Sequence, residues 1–182
     1  MRRLLLATLI ASTTVLATDK DTSPKVEARF DGPTLIVDVD YLVPVNVDGA
    51  WAVLTDFEHM HEFMPNLESS KILSRRDNHL RIEQTGTARY GILAFPFRSV
   101  RDIELAPKSL IISKMIEGDV KSLDSESRID AESAATAHIR YHARIVPDRW
   151  IPDFLTATVI RGEIGKQFEA MGREMKRRQA HG

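Results

Sequence analysis

The chain contains no cysteine. Disulfides, zinc–thiolate sites, thiol nucleophiles and a lipid-modified lipoprotein cysteine are thereby excluded, and either redox compartment remains open. Neither sign of charge is in excess: 25 Lys and Arg stand against 26 Asp and Glu, for a formal net charge of −1. A domain balanced in this way has little electrostatic hold on phosphates, so no nucleic-acid partner is expected. A glycine-rich phosphate loop is missing, as is a Gly-x-Ser-x-Gly nucleophile turn. There is no internal repeat or low-complexity segment. What remains is a chain of 182 residues, 43% hydrophobic and 28% charged, which suits one folded domain with a substantial core.

The N-terminus has its own pattern. Arg2-Arg3, an apolar run from Leu4 to Leu16 and the small-residue site Val15-Leu16-Ala17 form the three parts of a cleavable export signal. The run falls short of the ~20 residues that span a bilayer. Residues 1–17 are therefore read as a signal peptide cut after Ala17, which directs the protein to the periplasm. Residues 18–33 are polar and read as a linker at the mature N-terminus. The domain proper is assigned to residues 34–182.

Within that domain the hydrophobic periodicity changes twice. Thr34 to Val43 alternates, with Leu35, Val37, Val39, Tyr41 and Val43 on one face, as a half-buried strand does. Asn46 can cap a short helix carrying Val47, Trp51 and Leu54 on one side, and Asp56 to Met64 reads as a second short helix closed by Pro65-Asn66. From Leu67 to Val146, alternating segments and turns recur about every ten residues, the spacing of an antiparallel meander. Trp150 to Arg178 then reads as one long helix. Pro152 suits its first turn, and Ile160, Ile164, Phe168, Met171 and Met175 form a single apolar stripe. The order describes an α+β domain: a curved antiparallel sheet of about seven strands, two short helices after the first strand, and a long C-terminal helix. Several inward positions are small (Gly86, Ala88, Ser99, Ser125, Ala137, Ala143), which predicts a partly open apolar cavity between sheet and helix.

Three segments carry a family resemblance. The first is Val43-Pro44-Val45-Asn46-Val47-Asp48-Gly49-Ala50-Trp51-Ala52-Val53-Leu54-Thr55-Asp56-Phe57 with His61-Glu62-Phe63-Met64-Pro65. The second is Gly118-Asp119-Val120-Lys121, and the third is Val146-Pro147 with Trp150-Ile151-Pro152 and Arg161. The sequence resembles the START-like (SRPBCC) superfamily of polyketide cyclases/dehydrases, coenzyme Q-binding and lipid-binding proteins. The resemblance runs from about Leu35 to Arg178 and implies a helix-grip fold. It says little about function, because that superfamily holds both binders and enzymes. Similar bacterial sequences often carry a tryptophan near Ser127; its absence here implies either a larger cavity or a repacked wall.

Candidate residues follow from the faces. Arg101 shares a face with Phe95, Phe97 and Ile103, and would project into the cavity as an anchor for a quinone, carboxylate or phosphate headgroup. A bulge near Pro96 would reverse that register and put Arg101 in water. Gln84, Tyr90 and Tyr141 lie on inward faces, and Ile160, Ile164 and Phe168 would close the cavity from the helix. His59, His61, His138 and His142 read as solvated, as do the pairs Asp38/Asp40, Asp102/Glu104 and Asp124/Glu126, so no metal ligand, catalytic residue or cofactor is assigned. The resulting expectation is an exported, non-catalytic binder or carrier of a lipid, fatty acid or isoprenoid/quinone, with transient membrane contact. The helix and the loops near Gly91 and Gly118 would serve as a lid. The alternative is a polyketide cyclase/dehydratase-like enzyme using Arg101, Tyr90 and Tyr141 on a hydrophobic substrate.

Overall fold

A computed structural model describes residues 23–90, 93–148 and 157–181, with only the backbone of Tyr90 and Leu93. The leader Met1–Ala17, the Trp150-Ile151-Pro152 helix start and Gly91 lie outside the described residues. The elements run β1 (Lys25–Asp31), β2 (Thr34–Val43), α1 (Val47–Leu54), α2 (Met60–Phe63) and β3 (Leu67–Arg76). They continue with β4 (His79–Tyr90), β5 (Leu93–Ala106), β6 (Leu110–Gly118), β7 (Val120–Ser133), β8 (Thr136–Pro147) and α3 (Ala157–His181). All eight strands form one curved antiparallel sheet, in the order β1-β2-β8-β7-β6-β5-β4-β3. Only the β2–β8 junction joins strands distant in sequence. The α1–α2 segment therefore carries the chain from that junction to the far edge.

The sheet has eight strands where the sequence predicts about seven. The additional one, β1, falls in the stretch read as a linker. It pairs with β2 from Lys25↔Asp40 to Asp31↔Thr34 through a tight Gly32-Pro33 turn, with Gly32 at φ +56°. As an edge strand it buries only Ala28. It is held by pairing to β2 and by Val26 and Ala28 packing against the core, and its alternation of Val26, Ala28 and Phe30 with charged residues is the strand signal that the linker reading passed over.

Helix α1 starts where the sequence places it, whereas of the stretch from Asp56 to Met64 read as a second helix only Met60–Phe63 is helical. Asn46 caps α1 through its side-chain oxygen, which accepts from the Gly49 N–H at 2.7 Å. The core is built from the inward face of β2, with Val37, Val39, Tyr41 and Val43 at 0–3% exposure, together with Ala137, Ile139 and Ala143 of β8. Ala50 and Val53 of α1 and Met171 and Met175 of α3 cover it. At ~1.5 Å per residue α3 is roughly 37 Å long, and it packs on β1, α1 and α2.

The two ends of α3 are seated differently. Near its C-terminal half Gly172 sits so close to Tyr41 that a Cβ there would fall 2.0 Å from the tyrosine oxygen. The side chain is missing where rod and sheet meet, so that end is tight. Glu174, Arg177, Arg178 and Asp56 tie the same end to the α1–α2 link: Arg178 bridges Glu174 at 2.6 Å and Asp56 at 2.8 Å. Toward the N-terminal half the facing sheet positions include the short side chains Ser113, Ser125, Ser127 and Ala143, and the layers part.

Candidate ligand-binding cavity

The parting leaves a cavity of about 520 Å³. Ile160, Glu163, Ile164, Gln167, Phe168 and Met171 of α3 form one wall, while Met175 lies beyond it in the packed end. β2 contributes Leu35 and Val37 but not Tyr41 or Val43, again because the other end is filled. Two rungs of the sheet make the floor. One reads Ile103, Ser113, Ser125 and Ala143 across β5, β6, β7 and β8; the next reads Ile111, Ser127 and Tyr141. Alternation fixes these residues inward, and the shortness of Ser113, Ser125, Ser127 and Ala143 keeps the middle of the floor low. The Tyr141 ring leans on Phe168 across the gap, with centroids 5.4 Å apart and planes tilted by 56°.

The polar groups in this apolar space are few and specific. Arg101 stands on β5 opposite Met115 of β6. Its Nη2 donates to Gln84 Oε1, and Gln84 Nε2 in turn donates to Ser70 Oγ at 3.0 Å and approaches Met60 Sδ at 3.5 Å. Gln84 is thus buried and held, and its amide orientation follows from the network. Arg101 Nε, Ser113 Oγ and Asn66 Oδ1 are buried without a hydrogen-bond partner. Burial pushes the Arg101 pKa down, because the charged guanidinium has lost its water. Burial likewise pushes the Tyr141 phenol up, against smaller opposing effects of a Ser125 hydrogen bond and the Arg101 charge. Tyr141 is therefore a neutral hydroxyl at any ordinary pH.

Other charged side chains on the cavity wall are compensated. Arg98 pairs with Glu83 at 2.6 Å and also with Glu117, its backbone N–H donates to Asp119 at 2.7 Å, and Glu163 pairs with Lys166 at 2.6 Å. Arg101 has no carboxylate partner among the described residues.

Of the residues named from sequence, Gln84, Phe97, Arg101, Tyr141, Ile160, Ile164 and Phe168 line this one cavity. Pairing of β4 with β5 runs unbroken from His79↔Glu104 to Tyr90↔Leu93, so Pro96 introduces no slip between these strands; the irregularity lies on the β6 side, between Val100 and Arg101. Phe95 needs correction: it shares the Phe97 face but is 37% exposed and absent from the lining, since the described wall stops at Phe97. The Tyr90 side chain lies outside the described residues. Three of the small positions also read differently, among them Ala88, which is half-buried and absent from the lining. Gly86 borders no open space, because a Cβ there would meet the Asn66 carbonyl oxygen at 2.0 Å. Ala137 is packed in the core. Ser113 was legible, since it alternates with Ile111 and Met115; Asn66 was not, because it reaches the cavity from a loop.

On the opposite, outer face, His138 pairs with Asp40 at 2.9 Å and His142 with Asp38 at 2.7 Å. Among the described residues no three His, Cys, Asp or Glu side chains converge on a point that could hold a metal ion.

Comparison with known proteins places this geometry. Residues 43–171 match the family model described as polyketide cyclase / dehydrase and lipid transport. No curated protein matches the sequence. Among solved structures, the Zhui aromatase/cyclase from Streptomyces sp. R1128 superposes with TM-score 0.67 at 17% identity, covering 80% of this chain and 95% of that one. A STAR-related lipid transfer protein from Xanthomonas axonopodis gives 0.68 at 15% identity, covering 88% and 97%. A START superfamily protein from Mycobacterium smegmatis gives 0.67 at 11% identity, covering 78% and 97%. At such identities the superpositions establish the helix-grip fold alone. The family model covers most of the chain, and the protein accordingly belongs to the polyketide cyclase/dehydrase and lipid transport family.

Proposed function

We propose that the protein is an exported, non-catalytic binder or carrier of a hydrophobic small molecule: a lipid, fatty acid or isoprenoid/quinone. The observation that carries this reading is the cavity of about 520 Å³ with largely aliphatic and aromatic walls. That volume lies in the ~300–1,000 Å³ range of small-molecule sites. Burial of a hydrocarbon tail contributes ~0.8 kcal/mol per methylene, so about ten methylenes give ~8 kcal/mol gross. Micromolar affinity is then reachable after association costs. The apolar stripe of α3 would be the lid, with the Gly118 turn beside it.

Native mass spectrometry of the purified protein, followed by solvent extraction, tests the reading. The expected result is a co-purified lipid or quinone, or uptake that strengthens with tail length. Protein that carries nothing and takes up neither fatty acids nor quinones would overturn it. The export half of the proposal has its own readout: expressed with its leader, the protein should recover from the periplasm with a mass that begins at Thr18.

A second reading, a cyclase- or dehydratase-like enzyme, is favoured by one observation, the meeting of Arg101 and Tyr141 inside the same cavity. Multiple turnover of a poly-β-keto substrate, lost in Arg101→Leu and Tyr141→Phe, would establish it over the carrier.

A further inference from the structure

We infer that the ligand of this cavity is a single-chain hydrophobic acid whose lone carboxylate sits on Arg101 Nε and Ser113 Oγ. The inference rests on the binder reading above and names the chemistry of its ligand.

A desolvated guanidinium without a counter-ion is among the costliest things a protein can bury, and it persists where something supplies the missing charge. Arg98, Glu163 and Asp119 on the same wall have found partners within the protein; Arg101 has only a neutral amide. The missing charge is one unit, which a carboxylate supplies. A quinone or alcohol would accept a hydrogen bond and leave the charge uncompensated. A phosphomonoester brings about −1.5 to −2 and would leave an excess of the opposite sign.

Geometry narrows it further. Gln84, held by Ser70, occupies Nη2 and so fixes the orientation of the guanidinium fork, with Nε turned to no protein acceptor. Ser113 is a second donor lacking a partner, one rung along the floor from Arg101. Tyr141, kept neutral by its burial, adds a further hydroxyl on the same floor. An anchor of a guanidinium and hydroxyls suits a planar acceptor that can take two or more hydrogen bonds. The tail would lie against Phe168, Ile164 and Ile160. The volume suits one chain better than the paired chains of a membrane phospholipid.

The test compares three probes with an identical sixteen-carbon tail: hexadecanoate, hexadecan-1-ol and hexadecyl phosphate. Each is titrated below its aggregation concentration into the purified, delipidated protein at pH 8 and followed by native mass spectrometry. Hexadecanoate should bind at least about tenfold more tightly than hexadecan-1-ol, the factor expected of a charge-assisted hydrogen bond. Arg101→Met should remove that preference and leave hexadecan-1-ol within about threefold of its original affinity. Arg101→Gln, which keeps a polar side chain, should do the same, and thermal melts of both variants show whether they are folded.

Equal binding of acid and alcohol by the unaltered protein would overturn the assignment, as would a preference that survives in both folded variants. Tighter binding of hexadecyl phosphate than of hexadecanoate would overturn it in favour of a phosphate. In those cases the cavity still binds a tail and the broader reading stands. Failure of all three probes to bind would overturn the broader reading together with this one.

Discussion

Three glycines of α3 offer a test of the contact on which the cavity depends. A Cβ added at Gly162 would have nothing within 4 Å, and one at Gly165 would meet only Val26 Cγ2 at 3.9 Å. At Gly172 it would meet Tyr41 Oη, Cζ and Cε1 at 2.0, 2.8 and 3.0 Å. The same substitution, glycine to alanine in one helix, should therefore change sign along the rod. At Gly162 and Gly165 the gain is that of helix propensity, up to ~1 kcal/mol. At Gly172 the same gain is set against overpacking onto a tyrosine that is 3% exposed. Such overpacking costs typically ~1–3 kcal/mol and more where rigid atoms collide. The net is a loss of ~1–2 kcal/mol. For a chain of this size each kcal/mol moves Tm by about 2–4 °C. Gly162→Ala should then raise Tm by up to ~4 °C, while Gly172→Ala lowers it by roughly 2–8 °C, read by differential scanning calorimetry. Adding Tyr41→Phe removes the atom at 2.0 Å but leaves the ring carbons, so it should restore only part of the loss. If Gly172→Ala raises Tm as Gly162→Ala does, the helix does not rest on Tyr41. The account of why one end closes and the other opens would then fail.

Three further outcomes follow from particular side chains. Glu174 is held at a pKa of about 2, first by its hydrogen bonds from Arg177 and then by Arg178, below its ordinary 4.5. A carboxyl depressed in the folded state stabilises above its unfolded pKa and loses that contribution as pH falls. Urea midpoints should thus drop between about pH 5 and pH 2, and Glu174→Gln should flatten that slope by ~1–2 kcal/mol, allowing for the exposure of Arg177. Arg101→Met, which replaces an uncompensated buried cation with an apolar chain of similar length, should raise the Tm of ligand-free protein by a few degrees; a fall in Tm would mean that the contacts of Arg101 outweigh the cost of its buried charge. Ser127→Trp puts an indole on the cavity floor and should weaken binding of hexadecan-1-ol at least about tenfold without loss of fold, measured by the same titration; unchanged binding would show that the ligand does not use this floor.

The local order of the fold was readable from the chain because each local signal had one physical source. Alternation on β2, β4 and β8 states which residues face in, Asn46 states where α1 begins, and the stripe from Ile160 to Met175 states which side of α3 is covered. These follow from side-chain period and backbone hydrogen bonding, which are properties of neighbouring residues. The strand Lys25–Asp31 does alternate, with Val26, Ala28 and Phe30 between charged residues, but a run of seven residues with four charges reads equally as a solvated linker until its pairing with β2 is seen.

The site divides along the same line. Alternation could propose that Arg101, Gln84 and Tyr141 face inward, and the chain's lack of catalytic motifs could point to binding. Whether an inward glycine leaves space or admits another backbone depends on what lies opposite, as Gly86 and Asn66 demonstrate. Whether a buried arginine is paired likewise depends on residues far away in sequence. Only the tertiary structure decided that α3 is pinned at Gly172 and parts from the sheet beyond it, and that Arg101 lies in the resulting cavity without a counter-charge. Space and charge compensation are properties of a neighbourhood, and the neighbourhood does not exist until the chain has folded.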